Sequence, residues 1–540
     1  MANLAPQLGG AAVAPLANST PASTSNDAPT AASNDQLAAT SPSTALPYLA
    51  RSYAFADYAT ANNWIGGSFR PGSLGRQLPV DNPRYGKVMG QVTLSDSRDV
   101  QAAVDAAKMA LPAWKNTPIK ERAQVMYRLK ALLERDMDEL CWLLAAENGK
   151  TYAEAKGDID KGIECIEFAA SLPNLAIGGQ ADVSRGVNCE TTFEPLGIVG
   201  GVVPFNFPIM VPLWMIPNAL VGGNCFILKP SEVVPFGAMR LAFYLKEAGL
   251  PDGVFQTING QQPAVEALVD HPDIKAIGFV GSTRVAHLLY ARGSALGKRM
   301  LCLGGAKNHV LVVPDADVEL SASNIVASSF GCAGQRCMAS SLMVAVGPTG
   351  RIIDAMVATA RKIKLGEDMG AVISTVAKAR ILRYIDEAEA AGAKVLVDGR
   401  GATVAGCPDG NWVGPTILDF VRADMPAACD EIFGPVLSIV RTQTLDQAIA
   451  VENANVYGNG AAIFTTSGAV ARYAVDRLEA GMVGVNIGVP VPREPFSFGG
   501  FGDSKFGHGD LTGIDGYRFW TRAKKVTTKW ALQADQNWMN

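Results

Sequence analysis

From Gly197 onward the chain alternates short apolar runs of strand length with helical stretches, and this alternation constrains its fold more than any other feature. "GIVGGVV" (197–203) leads into an apolar helical stretch after Pro208. "CFILKP" (225–230) leads into a helix ending near Gly249, and "KAIGFVG" (275–281) into one reaching about Leu296. Such strand–helix–strand units predict a parallel sheet covered by helices. "HVLVV" (309–313) opens a second series, continued by "LMVAV", the helix "KARILRYIDEAEAAG", "AKVLV", "VLSIV", "AAIFT" and "MVGVN". Two α/β domains in tandem fit this pattern better than one.

Ahead of these series, "NNWIGGSFR" and "LPVDNPRYGKVMGQV" read as short strands and turns. From Ser97 the spacing turns helical, with Val100, Val104, Ala107 and Leu111 on one face. Met126, Leu129, Leu133, Met137, Leu140 and Leu144 predict one longer helix, and the helical region is expected to end near Asn148–Gly149. "VNCETTFEP" (187–195) and "AKKVTTKW" (523–530) stand apart as isolated strands that together could form a small extra sheet, an oligomerisation flap. Residues 1–50 are rich in Ala, Ser, Thr, Pro and Asn and contain no Lys or Arg, which predicts a disordered tail and fits neither a secretory signal nor a transit peptide.

Composition narrows the function classes. At 540 residues and 48% hydrophobic, the chain has ample material for a large core, with length suggesting about three to four domains. A net charge of −4 with no long basic run indicates neither nucleic-acid nor membrane-surface binding. The most apolar segment, 197–221, is broken by Pro204, Pro208, Pro212 and Pro217, so no membrane span is expected. Nine irregularly spaced cysteines form no CxxC pair, and four histidines add no ligand pattern, so no metal site and no disulfide framework is read. Reduced, mostly buried thiols point to the cytoplasm.

Strand C-termini in a parallel sheet are where ligands collect. "VVPFNFP" leaves its strand and reaches Asn206, whose amide could donate to a developing oxyanion or simply cap the next helix. "LKPSE" sets Lys229 and Glu232 three residues apart, either to hold ribose hydroxyls or as a solvated loop with Glu232 in a first helical turn. "FVGST" ends on Gly281 and Ser282, where a helix start suits a phosphate or is only an N-cap. In "FGCAGQRCMAS" small residues surround Cys332 and Cys337. Beside Arg336, Cys337 could be partly thiolate at neutral pH, or both thiols could be inert core. "EIFGPV" offers Glu431 and Phe433, a carboxylate and an aromatic before a turn.

In order, "PFNFP", "LKPSE", "FVGST", "LGGAKNH", "GQRC" and "EIFGPV" resemble the NAD(P)-dependent aldehyde dehydrogenase superfamily, over roughly residues 55–530. Within it, "GIECIEFA", "PFNFPIMVPLWMIPNAL", "GAKNH", "FGCAGQRCMA" and "VNIGVPVPREPFSFGG" look like the CoA-acylating methylmalonate/malonate-semialdehyde dehydrogenases.

The resemblance implies an NAD-binding domain over 51–180 and 196–301, a catalytic domain over 302–510, and a flap with C-terminal tail from 181–195 and 511–540. It implies assembly as a homodimer or homotetramer. Cys337 would be the nucleophile, with Asn206 and the backbone N–H of Cys337 as oxyanion hole. For the cofactor, Lys229 and Glu232 would hold the adenine ribose, Gly281 and Ser282 the pyrophosphate, Glu431 the nicotinamide ribose and Phe433 would lie against the nicotinamide, with Phe205 a further cofactor-binding residue. Glu232 favours NAD over NADP, because a carboxylate repels a 2′-phosphate.

The implied chemistry is thiolate attack on a small-molecule aldehyde, hydride transfer to NAD, and a thioester left on Cys337. Hydrolytic members carry a Glu directly before Leu-Gly-Gly to activate water, and Cys302 stands there in "MLCLGGAKNH". A thiol is a poor general base, so coenzyme A is the expected acyl acceptor; the alternative is an NAD(P)-dependent aldehyde dehydrogenase that hydrolyses its thioester to a free acid, on a different aldehyde. Arg336 matches an Arg that binds the substrate carboxylate in the semialdehyde enzymes. Its usual second Arg is Lys161 here, which keeps the charge and loses the bidentate fork.

Overall fold

The computed structural model describes residues 58–530. The expected N-terminal tail and the last ten residues of the chain lie outside them. Both strand–helix series form parallel sheets. The first sheet has eight strands in the order Ser68–Arg70, Asn63–Ile65, Phe255–Thr257, Cys225–Lys229, Ile198–Val202, Ile274–Val280, Arg299–Leu303 and Lys505–Phe506. Its five central strands are parallel and only its edges antiparallel. The chain lays down 198–202, 225–229 and 255–257 in one direction, then returns to place 274–280 on the other side of the first strand. The order of the sheet therefore reverses between Ile198–Val202 and Ile274–Val280, and a crevice opens beyond their C-terminal ends.

The second sheet has seven strands, with Asn308–Val312 and Ser340–Val346 at its centre, and only the edge strand Lys394–Val397 runs antiparallel. Buried aliphatic clusters cover both of its faces. The segments 187–195 and 523–530 do pair. Val187–Pro195 lies antiparallel between Thr521–Lys529 and a third strand, Gly179–Ser184, in a separate three-stranded sheet.

The helical region departs from expectation in two places. The long helix predicted across 126–144 is two helices, Ile119–Arg135 and Met137–Asn148. Asp136 leaves helical geometry at the joint (φ −105°, ψ 21°), and its carboxylate accepts from Tyr244 Oη at 2.8 Å and from Arg135. Nor does the helical region end at Gly149. That residue turns the chain in the left-handed conformation (φ 86°), and a 24-residue helix, Tyr152–Leu175, follows at once. Thr151 starts it with a capping box, its hydroxyl accepting from Glu154 N while Glu154 Oε2 accepts from Thr151 N at 2.9 Å.

This helix packs against Met210–Val221, which is buried on every side. A helix apolar all round is thus a core element here, and among the described residues no helix is long and apolar enough to cross a membrane.

Candidate active site

The crevice at the reversal of the first sheet is a cleft of about 1130 Å³. Nine of the residues singled out in the sequence line it: Phe205, Asn206, Lys229, Glu232, Gly281, Ser282, Cys337, Glu431 and Phe433. They come from the ends of three strands of one sheet and from two loops of the other. Arg336 and Lys161 are not among its lining residues.

Lys229 ends its strand almost fully buried and donates to Glu232 Oε2 at 2.9 Å. Burial opposes ionisation of Glu232, but the Lys229 charge and hydrogen bond prevail and hold the carboxyl below its usual range. Glu232 sits in the loop ahead of the helix Phe236–Glu247, not in its first turn. The helix Thr283–Ala295 begins after Ser282 with no side-chain cap. Gly281, Ser282 and Thr283 all line the cleft, so this end offers uncapped backbone donors and positive dipole to an anion. An ion pair able to meet ribose hydroxyls and an anion-seeking helix end in one cleft fit a dinucleotide.

Asn206 does not cap the following helix. Its Nδ2 donates to the Gln335 carbonyl at 3.0 Å, which fixes the amide beside the cysteine loop. Its own carbonyl accepts from Lys150 Nζ at 2.9 Å, and the same ammonium meets Asp158 at 3.0 Å with both side chains buried. Asp158 Oδ1 in turn accepts from Met210 N at 2.7 Å. A charged pair therefore grips both ends of the 206–210 turn. Glu147 ties down the next element, accepting from Phe236 N and Gly237 N at 2.8 and 3.0 Å, and burial pushes its carboxyl up to about 8.

Cys337 is half-buried at the base of the cleft. Its carbonyl accepts from Asn308 Nδ2 at 2.7 Å and from Asn459 Nδ2 at 3.0 Å. Burial pushes its thiol up to about 12, the Glu431 carboxylate adding to the shift while its own N–H, that of Met338 and Arg336 oppose it. Of the two alternatives left open for Cys337, a thiolate held by Arg336 is the one this geometry does not support: Arg336 is the weakest of these influences, and its guanidinium lies against Gly331 and Cys332 instead. Cys332 is buried, as expected of a packing neighbour.

The cysteine loop meets the Glu431–Phe433 turn closely. A Cβ on Gly334 (φ 69°) would stand 2.0 Å from the Gly434 carbonyl, so only glycine fits. Phe433 itself takes φ 53° and meets Phe205 edge to face, ring centres 5.8 Å apart. Burial pushes Glu431 up to about 7, against the Ala306 N–H it accepts at 3.1 Å and the nearby Lys307 charge.

Cys302 is fully buried in the strand Arg299–Leu303, away from the cleft lining, and burial pushes its thiol up to about 12. Lys161 is already matched: Glu494 Oε2 lies 2.9 Å and Glu164 Oε2 2.8 Å from its ammonium. Lys150, Asp158, Glu147 and Asn459 escaped sequence reasoning, because each acts on backbone brought from afar. Asn308 stood inside the quoted "GAKNH" without a role.

The model of the "Aldehyde dehydrogenase family" matches residues 69–526. The malonate-semialdehyde dehydrogenase 2 of Geobacillus kaustophilus is 44% identical over 479 residues, 87% of this chain and 99% of that one. The rat mitochondrial methylmalonate-semialdehyde/malonate-semialdehyde dehydrogenase, described as acylating, is 41% identical, covering 89% of this chain and 92% of its own. A solved structure from Sinorhizobium meliloti 1021, described as a candidate methylmalonate-semialdehyde dehydrogenase complexed with NAD, superposes with a TM-score of 0.87 at 41% identity, covering 88% and 99% of the two chains.

Proposed function

The chain belongs to the aldehyde dehydrogenase family, and on that premise we propose that it is an NAD-dependent, CoA-acylating dehydrogenase of malonate- or methylmalonate-semialdehyde-like aldehydes. The observation that carries this reading is the 44% and 41% identity with relatives of those names, over nearly their whole lengths.

The Cys337 sulfur, once deprotonated, adds to the aldehyde carbon. The new alkoxide is met by the Asn206 amide and the backbone N–H of Cys337, donors held in place before the reaction begins. Lys229 and Glu232 would hold the adenine ribose, Gly281 and Ser282 the pyrophosphate, Glu431 the nicotinamide ribose, and Phe433 would pack against the nicotinamide, with Phe205 also binding the cofactor. Bound NAD would supply the hydride acceptor that this oxidation needs. The acyl group then remains on Cys337 as a thioester, and the thiol of coenzyme A displaces it, giving acyl-CoA and free Cys337. With methylmalonate semialdehyde, loss of CO2 makes the product propionyl-CoA.

Hydrolysis to a free acid is not favoured. Water would need a base, and the neutral Cys302 thiol in the core supplies none. The residue ranges 51–180 with 196–301, and 302–510, are assigned to cofactor binding and catalysis respectively. The three-stranded sheet is assigned to assembly as a homodimer or homotetramer.

Steady-state NADH formation from malonate semialdehyde, measured with and without coenzyme A, tests the reading. Turnover is expected to need coenzyme A, and an undiminished rate without it overturns the acylating assignment. Cys337→Ala is expected to abolish the NADH burst.

A further inference from the structure

We infer that Glu154 is a positioning residue for Cys337: its carboxylate, fixed at the start of the helix Tyr152–Leu175, holds the left-handed turn from which the nucleophile loop unfolds. The inference rests on the reading of Cys337 as nucleophile.

Cys332 and Ala333 stand at φ 51°, ψ 35° and φ 52°, ψ 37°. Two successive side-chain-bearing residues in the left-handed region are strained, and such a conformation persists only where its surroundings enforce it. Both are buried, at 3% and 1% exposure. The enforcing contact comes from 178 residues earlier in the chain, since the Cys332 N–H donates to Glu154 Oε1. The second oxygen, Oε2, is committed to the Thr151 N–H at 2.9 Å. The carboxylate is therefore not a mobile side chain that happens to reach the loop; the helix cap sets its direction.

The rest of the loop is built on that turn. Gln335 N donates back to the Cys332 carbonyl at 3.0 Å, and the Gln335 carbonyl holds the Asn206 amide at 3.0 Å. Arg336 folds over Gly331, where a Cβ would meet its guanidinium carbon at 2.4 Å, and reaches the Ala327 carbonyl at 3.5 Å. Asn308 and Asn459 then clamp the carbonyl of Cys337 itself. A turn displaced at Cys332 would thus move the thiol and the Asn206 amide relative to each other, the geometry on which oxyanion stabilisation depends.

Glu154→Gln keeps the shape but leaves one carbonyl oxygen for two donors. The pre-steady-state NADH burst is expected to slow at least tenfold, with the NAD dissociation constant within twofold of the parent. Adding Ala333→Gly to Glu154→Gln is expected to recover much of the burst, because glycine takes the left-handed conformation without a tether. Thr151→Ala removes only the hydroxyl that accepts from Glu154 N and keeps the Thr151 N–H that fixes Glu154 Oε2, so it should lower Tm while leaving the burst within threefold. Should Glu154→Gln not accumulate folded, Glu154→Asp, which withdraws the oxygen by one methylene, is expected to slow the burst and to be rescued in the same way. A burst within twofold of the parent, a failed glycine rescue, or equal slowing in Thr151→Ala overturns the inference. If Cys337→Ala keeps its burst, the nucleophile reading falls and takes this one with it; if that variant is dead and Glu154→Gln is unimpaired, only the positioning role falls.

Discussion

The Lys161 ammonium lies 2.9 Å from the Glu494 carboxylate, joining the helix Tyr152–Leu175 to the segment that follows the strand Met482–Val485. Both side chains are largely shielded, at 17% and 9% exposure. Burial opposes the charge on Lys161, yet the hydrogen bonds of Glu164 and Glu494 prevail and raise its pKa. A substrate carboxylate seeking Lys161 would have to compete with an anion that the protein already supplies. Glu494→Gln, which leaves Glu164 as partner, is expected to raise kcat/KM for malonate semialdehyde at least threefold relative to propanal. Parallel changes for the two aldehydes would remove Lys161 from substrate binding. Lys161→Met should instead destabilise the fold by ~1–3 kcal/mol, since it leaves the half-buried Glu494 carboxylate without its cation.

Cys337 sets the alkaline behaviour of the free protein. With its thiol pushed up to about 12, the thiolate fraction rises tenfold per pH unit through the neutral range. Carbamidomethylation of Cys337 by iodoacetamide, followed by peptide mass spectrometry, should therefore accelerate about tenfold for each unit between pH 7 and pH 10. A rate already at plateau by pH 8 would show a preformed thiolate.

Glu431 should make cofactor affinity pH-dependent in the opposite region. Burial raises its carboxyl to about 7, so it gains a proton as pH falls from 8 to 6 and weakens as an acceptor for ribose hydroxyls. The NAD dissociation constant is expected to rise several-fold over that interval, and Glu431→Gln should bind weakly at both ends. Unchanged pH dependence in that variant would assign the titration elsewhere.

Cys302 should behave as a packing residue. Cys302→Ala removes a buried sulfur, which should cost about 1 kcal/mol of stability and leave CoA-dependent turnover within twofold. A tenfold loss of turnover would place the thiol in the chemistry.

The three-stranded sheet should carry assembly. Val183, on its outer strand, is 58% exposed, and Ile177 just before it is 74% exposed. Val183→Asp with Ile177→Asp is expected to shift light-scattering mass from a dimer or tetramer towards the monomer without loss of the fold.

Much of this architecture was legible in the chain. The apolar runs at 197–203, 225–230 and 275–281 became adjacent parallel strands, because their continuous hydrophobicity can be satisfied only where helices cover both faces. The nine cleft residues were legible because each stands at or near a strand end or in a quoted turn, where local sequence dictates local shape. The joint at Asp136 was not, since Tyr244 and Arg240 that bind its carboxylate lie more than a hundred residues away. The helix after Gly149 was legible but missed, since Thr151-Tyr152-Ala153-Glu154 is a local capping-box signature.

The ordered motifs of the sequence, through the family they resemble, pointed to the nine residues the cleft holds: Phe205, Asn206, Lys229, Glu232, Gly281, Ser282, Cys337, Glu431 and Phe433. Only the tertiary structure decided what the neighbouring charges do. Arg336 follows Gln335 and precedes Cys337 in the chain, but its guanidinium folds back over Gly331, and Lys161 spends its charge on Glu494, 333 residues away. The reason is physical: a strand or turn is set by backbone bonds between near neighbours, whereas the partner and the pKa of a charge are set by whatever carboxylate and whatever burial the whole fold brings within a few ångströms.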